Sequence, residues 1–335
     1  MRTTFVVVNY NGEKYIERCI ESILSQTCKK FRILVVDNAS TDKSVQIIKD
    51  VADRSSKVEV IRNDENVGFA KAVNQALELI ESGLVALVNN DVFLDNKWLE
   101  EMVKSARNDL RAGIFASKIY FLNGLINSTG HAIYRGLAVM ERGFFERDLG
   151  QYDESCYVAG ACAAAALYRR RLFEDIGFFD EDYFMYNEDV DLSLRAILRG
   201  WKIRFVPTAI AYHVHSASTG FLSDFSVYYN SRNWVWSVLK NAPRRILIKE
   251  LPFFLLRNLT SVIYFCLDGK FSIVKSKIDA IKELGEVFKK REVVQRGKRF
   301  ERFEEYIDGF GWKVLRNVWL SKAERCDNNI DEVRV

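Results

Sequence analysis

The chain has 335 residues, 48% of them hydrophobic, enough for one large domain with an appendage or for two domains. Charged residues make up 28% and sum to +4, which is the balance of an ordinary soluble protein and excludes a strongly basic nucleic-acid binder. The six cysteines, Cys19, Cys28, Cys156, Cys162, Cys266 and Cys326, are scattered with no CxxC pair; this argues against a zinc site or a disulfide framework and fits a reducing compartment. Met1 runs almost directly into FVVVNYN. With no charged region followed by a cleavable apolar core, no signal peptide is expected. No repeat or low-complexity tract interrupts the chain.

Residues 4–8 form a short apolar run rich in β-branched side chains, ended by Asn9, Asn11 and Gly12; this predicts a buried strand and a loop. Ile16, Ile20, Ile23 and Leu24 then fall at helical spacing. Residues 31–36 predict a second strand, ended by Asp37 and the turn-forming run to Asp42. A helix over 44–51 follows, with Thr41 or Asp42 as its cap. The same alternation gives a strand at 58–61, a helix at 68–80 and a strand at 84–88 that runs into Asn89, Asn90 and Asp91. Alternating strands and helices predict a parallel α/β sheet with helices on both faces. Ligands bind such sheets at the carboxyl ends of strands, where Asn9, Asp37 and Asp91 stand. Each alone is ordinary turn chemistry; three strand ends together favour a shared cleft.

No GxGxxG follows the first strand, which counts against a nicotinamide or flavin fold, and no GxxxxGK[ST] is present. Asp91 is the candidate metal ligand, because Mg²⁺ and Mn²⁺ take oxygen ligands, commonly one or two carboxylates plus substrate phosphates. Asp95 is expected to cap a helix over 97–106.

The pattern weakens between 113 and 150. Residues 114–121 predict a strand, and Gly130, Gly136 and Gly143 punctuate a hairpin or loop. His131 lies there with no evident partner and reads as a structural histidine. The small-residue run YVAGACAAAALY, 157–168, permits close approach of a backbone or a ligand; tight packing is the competing reading. Residues 177–200 hold the densest acidic cluster: Glu188, Asp189 and Asp191 crowd the start of a helix whose apolar face is Val190, Leu194 and Ile197, with Asn187 as its N-cap. The helix dipole stabilises their charge, whereas crowding and nearby aromatic residues raise a carboxyl pKa. Such opposed pushes tune general bases. A solvated helix start with an Asp191–Arg195 pair is the plain alternative. Strands at 201–206 and 209–215 follow. His213 and His215 alternate faces, so at most one meets the cleft.

The last third is helical. Residues 246–267 are apolar but interrupted by Lys249, Glu250, Pro252 and Arg257, which makes membrane spanning an unfavourable reading. Between 270 and 302, 11 Lys and Arg face 5 Asp and Glu, a net +6 (11 − 5). Apolar turns followed by basic ones suggest an interfacial segment on an anionic membrane; a helical cap with a solvated basic face is the alternative.

In this order VVVNYNG, VVDNASTD, DENVGFAKAVNQAL, VNNDV and GFFDEDYFMYNEDVDLSLRAILRGW, covering residues 5 to about 220, resemble the family 2 inverting glycosyltransferases of the GT-A fold, in their rhamnosyltransferase-like branch. The resemblance implies a GT-A domain over 1–220, with a nucleotide-binding half to about 110 and an acceptor-binding half from 111, followed by a helical, basic region over 221–335. It implies that Asn9, Tyr10 and Asp37 hold the nucleobase and ribose, and that Asn66, Gly68 and Lys71 lie along the nucleotide. Asn90 and Asp91 stand where the family's DxD motif holds Mg²⁺ or Mn²⁺. Asn89 replaces the first Asp of that motif, which leaves one carboxylate. His213 matches a metal or pyrophosphate ligand, Arg232 an arginine at the leaving diphosphate, Gly160 and Ala161 the acceptor site, and Asp189, with Glu188 beside it, the general base.

The implied donor is a dTDP- or UDP-sugar, with dTDP-rhamnose the first choice. The implied acceptor is a glycan or polyprenyl-diphosphate-linked glycan at the cytoplasmic face of the plasma membrane, in cell-surface polysaccharide synthesis; no nucleic acid is implied. A sugar-phosphate nucleotidyltransferase would want a Gly-rich basic phosphate loop that NYNGEKY does not supply. A non-catalytic scaffold of the same fold is the remaining alternative, and the intact Asp37, Asp91 and Asp189 speak against it.

Overall fold

Apolar β-branched runs build the first half as expected. The computed structural model describes residues 1–81, 83–214, 222–297, 303–312 and 316. In chain order come β1 (Thr3–Asn9), α1 (Ile16–Leu24), β2 (Phe31–Asp37), α2 (Ser44–Arg54), β3 (Val58–Arg62), α3 (Phe69–Glu78) and β4 (Leu84–Asn89). β3, β2, β1 and β4 lie side by side and parallel, in that order. Alternate residues of these strands face two separate cores. Val6, Leu34, Val36 and Leu87 join α3 on one side; Phe5, Val7, Ile33 and Val35 join α1 and α2 on the other. Asp42 meets the start of α2 through its side chain, accepting from the Ser44 N–H at 3.0 Å, while Lys43 occupies the cap position.

The sheet continues with mixed direction. β5 (Val92–Leu94), α4 (Trp98–Asn108), β6 (Ala112–Phe121), β7 (Ile126–Ser128), β8 (His131–Tyr134), β9 (Ala138–Glu141), β10 (Ala165–Arg169), α5 (Arg170–Ile176), α6 (Glu188–Arg199) and β11 (Lys202–His213) follow. β10 inserts antiparallel between β4 and β6, and β11 runs parallel to β6 and antiparallel to β5. Only the 165–169 end of the small-residue run is a strand. The two strands expected over 201–215 are one strand, with a register shift between Val206 and Ile210. His215 lies outside the described residues. β8 and β9 form a separate hairpin.

Four α-helices follow, α7 (Asp224–Asn241), α8 (Arg244–Leu267), α9 (Ser272–Lys282) and α10 (Leu284–Arg296), and then a short 3-10 turn over Phe303–Tyr306. Val235, Trp236, Ile246, Phe254, Ala280 and Val287 from these helices share one core with the sheet and α6. No helix among the described residues is long and apolar enough to cross a membrane.

Candidate active site

Parallel register brings the polar strand ends together. Asn9 stands opposite Asp37, and Val8 opposite Asn89. The buried Asn9 amide donates to Asp37 Oδ1 at 2.9 Å, Ser44 Oγ at 2.9 Å and Ser40 Oγ at 3.1 Å, and Asn9 Oδ1 accepts from Asn90 Nδ2 at 3.0 Å. The network fixes the β1, β2 and β4 ends as one floor. Gly12 is forced by it: a Cβ there would lie 2.3 Å from both Asn9 Oδ1 and Asn90 Nδ2. Tyr10 is exposed beside the floor, and Lys71 is exposed on α3. Asn66 accepts from Asn38 Nδ2 at 2.8 Å, and Gly68 O accepts from the same amide at 3.2 Å. Gly68 (φ +84°) packs against Phe184, where any Cβ would clash at 2.6 Å. Asn38, missed in the sequence, organises this edge.

Beyond the end of β4, Asp91 Oδ1 lies 3.2 Å from His213 Nε2. The two meet because β11 ends beside β5, with the Val214 N–H donating to Asp91 O at 3.1 Å. His213 Nδ1 is held by Asn127 Oδ1 at 3.0 Å, the kind of outer partner that orients a ligating imidazole. A hard divalent cation that keeps waters and substrate phosphates in its shell needs few protein ligands, and one carboxylate with one oriented imidazole meets that need. No cluster of three or more His, Cys, Asp or Glu suited to a metal occurs among the described residues, so phosphate oxygens or waters would complete the shell.

The helix start at 188 separates its carboxylates. Asp191 is fully buried and holds Arg195 Nε at 2.8 Å, Lys240 Nζ at 2.8 Å and Asn241 Nδ2 at 2.7 Å. These cations pull its carboxyl well below the usual range, and it ties α6 to α7. Glu188 is also buried, its Oε2 has no hydrogen-bond partner among the described residues, and burial beside Asp189 pushes its carboxyl up to about 8. The Asp189 side chain alone of the three keeps appreciable exposure, at 14%. Its Oδ1 accepts from the Val190 N–H at 2.7 Å and its Oδ2 from the Ala163 N–H at 3.0 Å. Burial nevertheless raises its pKa. Ala164, the next residue, accepts from the Asn89 N–H at 3.0 Å. Two consecutive backbone groups therefore link Asp189 to the end of β4, from which Asp91 extends.

The loop before α6 is strained. Phe184 (φ +58°), Tyr186 (+69°) and Asn187 (+64°) all occupy the left-handed half of backbone space, and the Met185 N–H closes a tight turn on Tyr183 O at 2.6 Å. Such residues persist where their surroundings over-determine them. Here Asn233 Nδ2 donates to the carbonyls of Tyr183, Met185 and Tyr186 at 2.7–2.9 Å. Arg232, expected at a leaving diphosphate, is buried, donates to Asp182 O and Asn233 Oδ1 at 2.9 Å, and lies 4.1 Å from the centre of the Trp236 ring. Asn187 occupies the N-cap position, yet its amide points to Asn230 and makes no capping bond.

Gly160 and Ala161 are buried in the segment leading to Ala163. Against Gly160 lies His131, the residue whose partners the sequence did not reveal. Its Nε2 is 3.2 Å from Glu141 Oε1 and 3.9 Å from Asp189 Oδ2. The sequence held one signal for this pair: a hairpin centred on Gly136 places 131 opposite 141, which is the observed register.

A sheet whose parallel strand ends carry an acidic floor, with an Asp–His pair and a partly exposed carboxylate on a neighbouring helix, defines the class: a GT-A glycosyltransferase fold. The glycosyl transferase family 2 profile matches residues 4–177 and the glycosyl transferase family group 2 profile matches residues 151–276. The chain belongs to glycosyl transferase family 2. It is 28% identical over 248 residues, 64% of this chain and 76% of the relative, to the N-acetylglucosaminyl-diphospho-decaprenol L-rhamnosyltransferase of Mycobacterium tuberculosis. It is 26% identical over 226 residues to the glycosyltransferase GlyA of Streptococcus pneumoniae serotype 4, covering 65% of this chain and 31% of GlyA; the chain thus spans about a third of that larger relative. Among solved structures, S. aureus TarS 1–349 in complex with UDP-GlcNAc aligns at TM-score 0.58 and 20% identity, covering 89% of this chain and 87% of that one. The mannosyltransferase PcManGT from Pyrobaculum calidifontis, in complex with GDP-Man and Mn²⁺, aligns at TM-score 0.57 and 18% identity, covering 84% and 75%. At these identities the structural likeness bears on fold alone.

Proposed function

We propose that the protein is an inverting glycosyltransferase that moves a sugar, with rhamnose from dTDP-rhamnose the first choice, from a nucleotide-sugar donor to a hydroxyl of a glycan or polyprenyl-diphosphate-linked glycan during cell-surface polysaccharide synthesis. The observation that carries the reading is Asp189: an accessible, oriented carboxylate joined through Ala163 and Ala164 to the strand end beside Asp91 and His213. Asp189 takes the proton of the acceptor hydroxyl, and the freed oxygen attacks the anomeric carbon. The bond to the diphosphate breaks as the new one forms, and the nucleoside diphosphate leaves from the opposite face. One displacement inverts the centre and needs one base, without the paired acid of a glycosidase. Asp91 and His213 would hold Mg²⁺ or Mn²⁺, which when bound stabilises charge on the departing diphosphate. Asn9, Tyr10, Asp37, Asn66, Gly68, Lys71 and Asn90 form the nucleotide side; Gly160 and Ala161 form the acceptor side. Glu188 stays buried and largely neutral next to the base. Arg232 acts through the loop carbonyl it holds. Rhamnose is supported by the mycobacterial relative's name, and a divalent ion by the Mn²⁺ bound to PcManGT.

A lipid-linked acceptor requires the enzyme to work at a membrane. α8 and α9 each present an exposed apolar row: Ile248, Leu251, Leu255 and Leu259 on the first, Val274, Ile278 and Ile281 on the second. Along α8, Arg244, Arg245 and Lys249 are exposed while the one acid, Glu250, is buried against Arg135. Apolar rows flanked by cations suit the anionic inner face of the plasma membrane.

Thermal-shift titration with a panel of dTDP-, UDP- and GDP-sugars, with and without Mn²⁺, tests the reading. One nucleotide sugar should stabilise the protein in a Mn²⁺-dependent way, and Asp91→Ala should remove that dependence. Binding of none of them under any metal condition would leave the non-catalytic scaffold as the better account.

A further inference from the structure

β8 and β9 bring one pair of side chains to Asp189. His131 and Glu141 face each other directly across the hairpin. Directly opposed antiparallel residues hold their side chains within contact distance. Glu141 is fixed further by hydrogen bonds from Ser128 Oγ and from the Cys162 thiol. The His131 backbone is bound on both sides to the acceptor-side segment: its N–H donates to Gly160 O at 2.9 Å, and its carbonyl accepts from the Ala159 N–H at 3.0 Å. A Cβ on residue 160 would lie 2.4 Å from His131 Nδ1, so the close approach depends on glycine. The imidazole is 3% exposed, and its Nδ1 has no hydrogen-bond partner among the described residues. Packing alone does not call for a polar ring with one edge unsatisfied, and such a group asks for an explanation. The other edge faces Glu141 at 3.2 Å and Asp189 at 3.9 Å.

We propose that His131, anchored by Glu141, is the positioning residue of the base, setting the charge and orientation of the Asp189 carboxylate. This rests on the reading of Asp189 as the base. The titratable groups around the ring are Glu141 on β9 and Asp189 and Glu188 on α6, with the Cys162 thiol on Glu141. Glu141 first, and Asp189 after it, overcome burial and hold the imidazole up to about 9. A cationic ring there opposes the burial that raises Asp189 and so favours the ionised carboxylate that can accept a proton. The hydroxyl proton goes to Asp189 alone; His131 exchanges none with substrate.

Coupling between two titrating groups is reciprocal, so the ring reports on the base without turnover. The chain contains only three histidines, which makes histidine-labelled NMR of the full-length protein tractable, with His131→Gln assigning the resonance. In the wild type the His131 ring should titrate well above the ordinary histidine value. The isosteric Asp189→Asn should lower its midpoint by about one pH unit, and Glu141→Gln by at least as much. A His131 midpoint near 6.5, or one unmoved by Asp189→Asn in a protein with an unchanged melting profile, would overturn the proposal. Failure of the transferase reading would show separately, as nucleotide sugars that do not bind.

Discussion

Three carboxylates within four residues take three different fates, and their surroundings decide which. Asp191 meets two cations and becomes a structural tie; Glu188 makes no ion pair among the described residues and is held largely neutral; Asp189 meets two backbone N–H groups and a histidine and keeps solvent contact. A pH dependence of stability follows. His131, raised from 6.5 to about 9, contributes stability that is complete below about pH 6.5 and is lost as pH rises through about 9. Glu188, raised from 4.5 to about 8, gives ground over the same direction, because the unfolded chain ionises it freely from about pH 4.5 upward. Asp191 and Glu141, both depressed, lose their contribution only as pH falls below the ordinary carboxylate range. Lys277, lowered by burial to about 7, pushes the other way above that pH, because only the unfolded chain still holds its proton; the melting temperature should therefore peak in mild acid, fall toward about pH 8 and level off toward pH 9, with a shallower fall in His131→Gln. A melting temperature that rises between pH 6 and 9 would contradict this. Asp91, His213 and Asp189 were legible in the sequence because strand ends and a helix start mark where a cleft collects polar groups. His131 was not, because Asp189 reaches it from a helix distant in the chain and Glu141 only through the register of its own hairpin.

Among the elements, β1 to β4 and their helices were legible because continuous apolar runs separated by polar turns have one economical arrangement. The antiparallel insertion of β10 was not. Its alanine-rich strand carries little β propensity, and pairing direction is set by neighbours across the sheet. The bulge that lets β11 run on to His213 was hidden in the same way: Pro207 and Thr208 read as a break between two strands. The α8–α9 surface combines what the sequence suggested separately, apolar turns and excess positive charge. Vesicle co-sedimentation tests its role. The protein should bind phosphatidylglycerol vesicles more tightly than pure phosphatidylcholine, less so at high salt. Leu255→Glu with Leu259→Glu should weaken binding at least about tenfold, since each buried leucine contributes about 1.5–3 kcal/mol. Equal binding by wild type and double variant would assign these rows to another role.

The molecule as a whole is asymmetric in a way that suits transfer between unlike substrates. The parallel half presents backbone and amide groups fixed by a buried network; the mixed half presents Asp189, the β8–β9 hairpin and the segment through Gly160 and Ala161 proposed to face the acceptor. The two halves meet where the 163–164 backbone bridges Asp189 and β4, and the C-terminal helices share the core beneath. The central claim is that Asp189 is the single base of an inverting displacement. The most direct measurement is transfer by Asp189→Asn, using the nucleotide sugar that stabilises the wild type, with the anomeric configuration of the wild-type product read by NMR. The account predicts donor binding unchanged, transfer reduced by about 10²–10⁴-fold and an inverted product. Transfer at the wild-type rate, or a product with retained configuration, would contradict it.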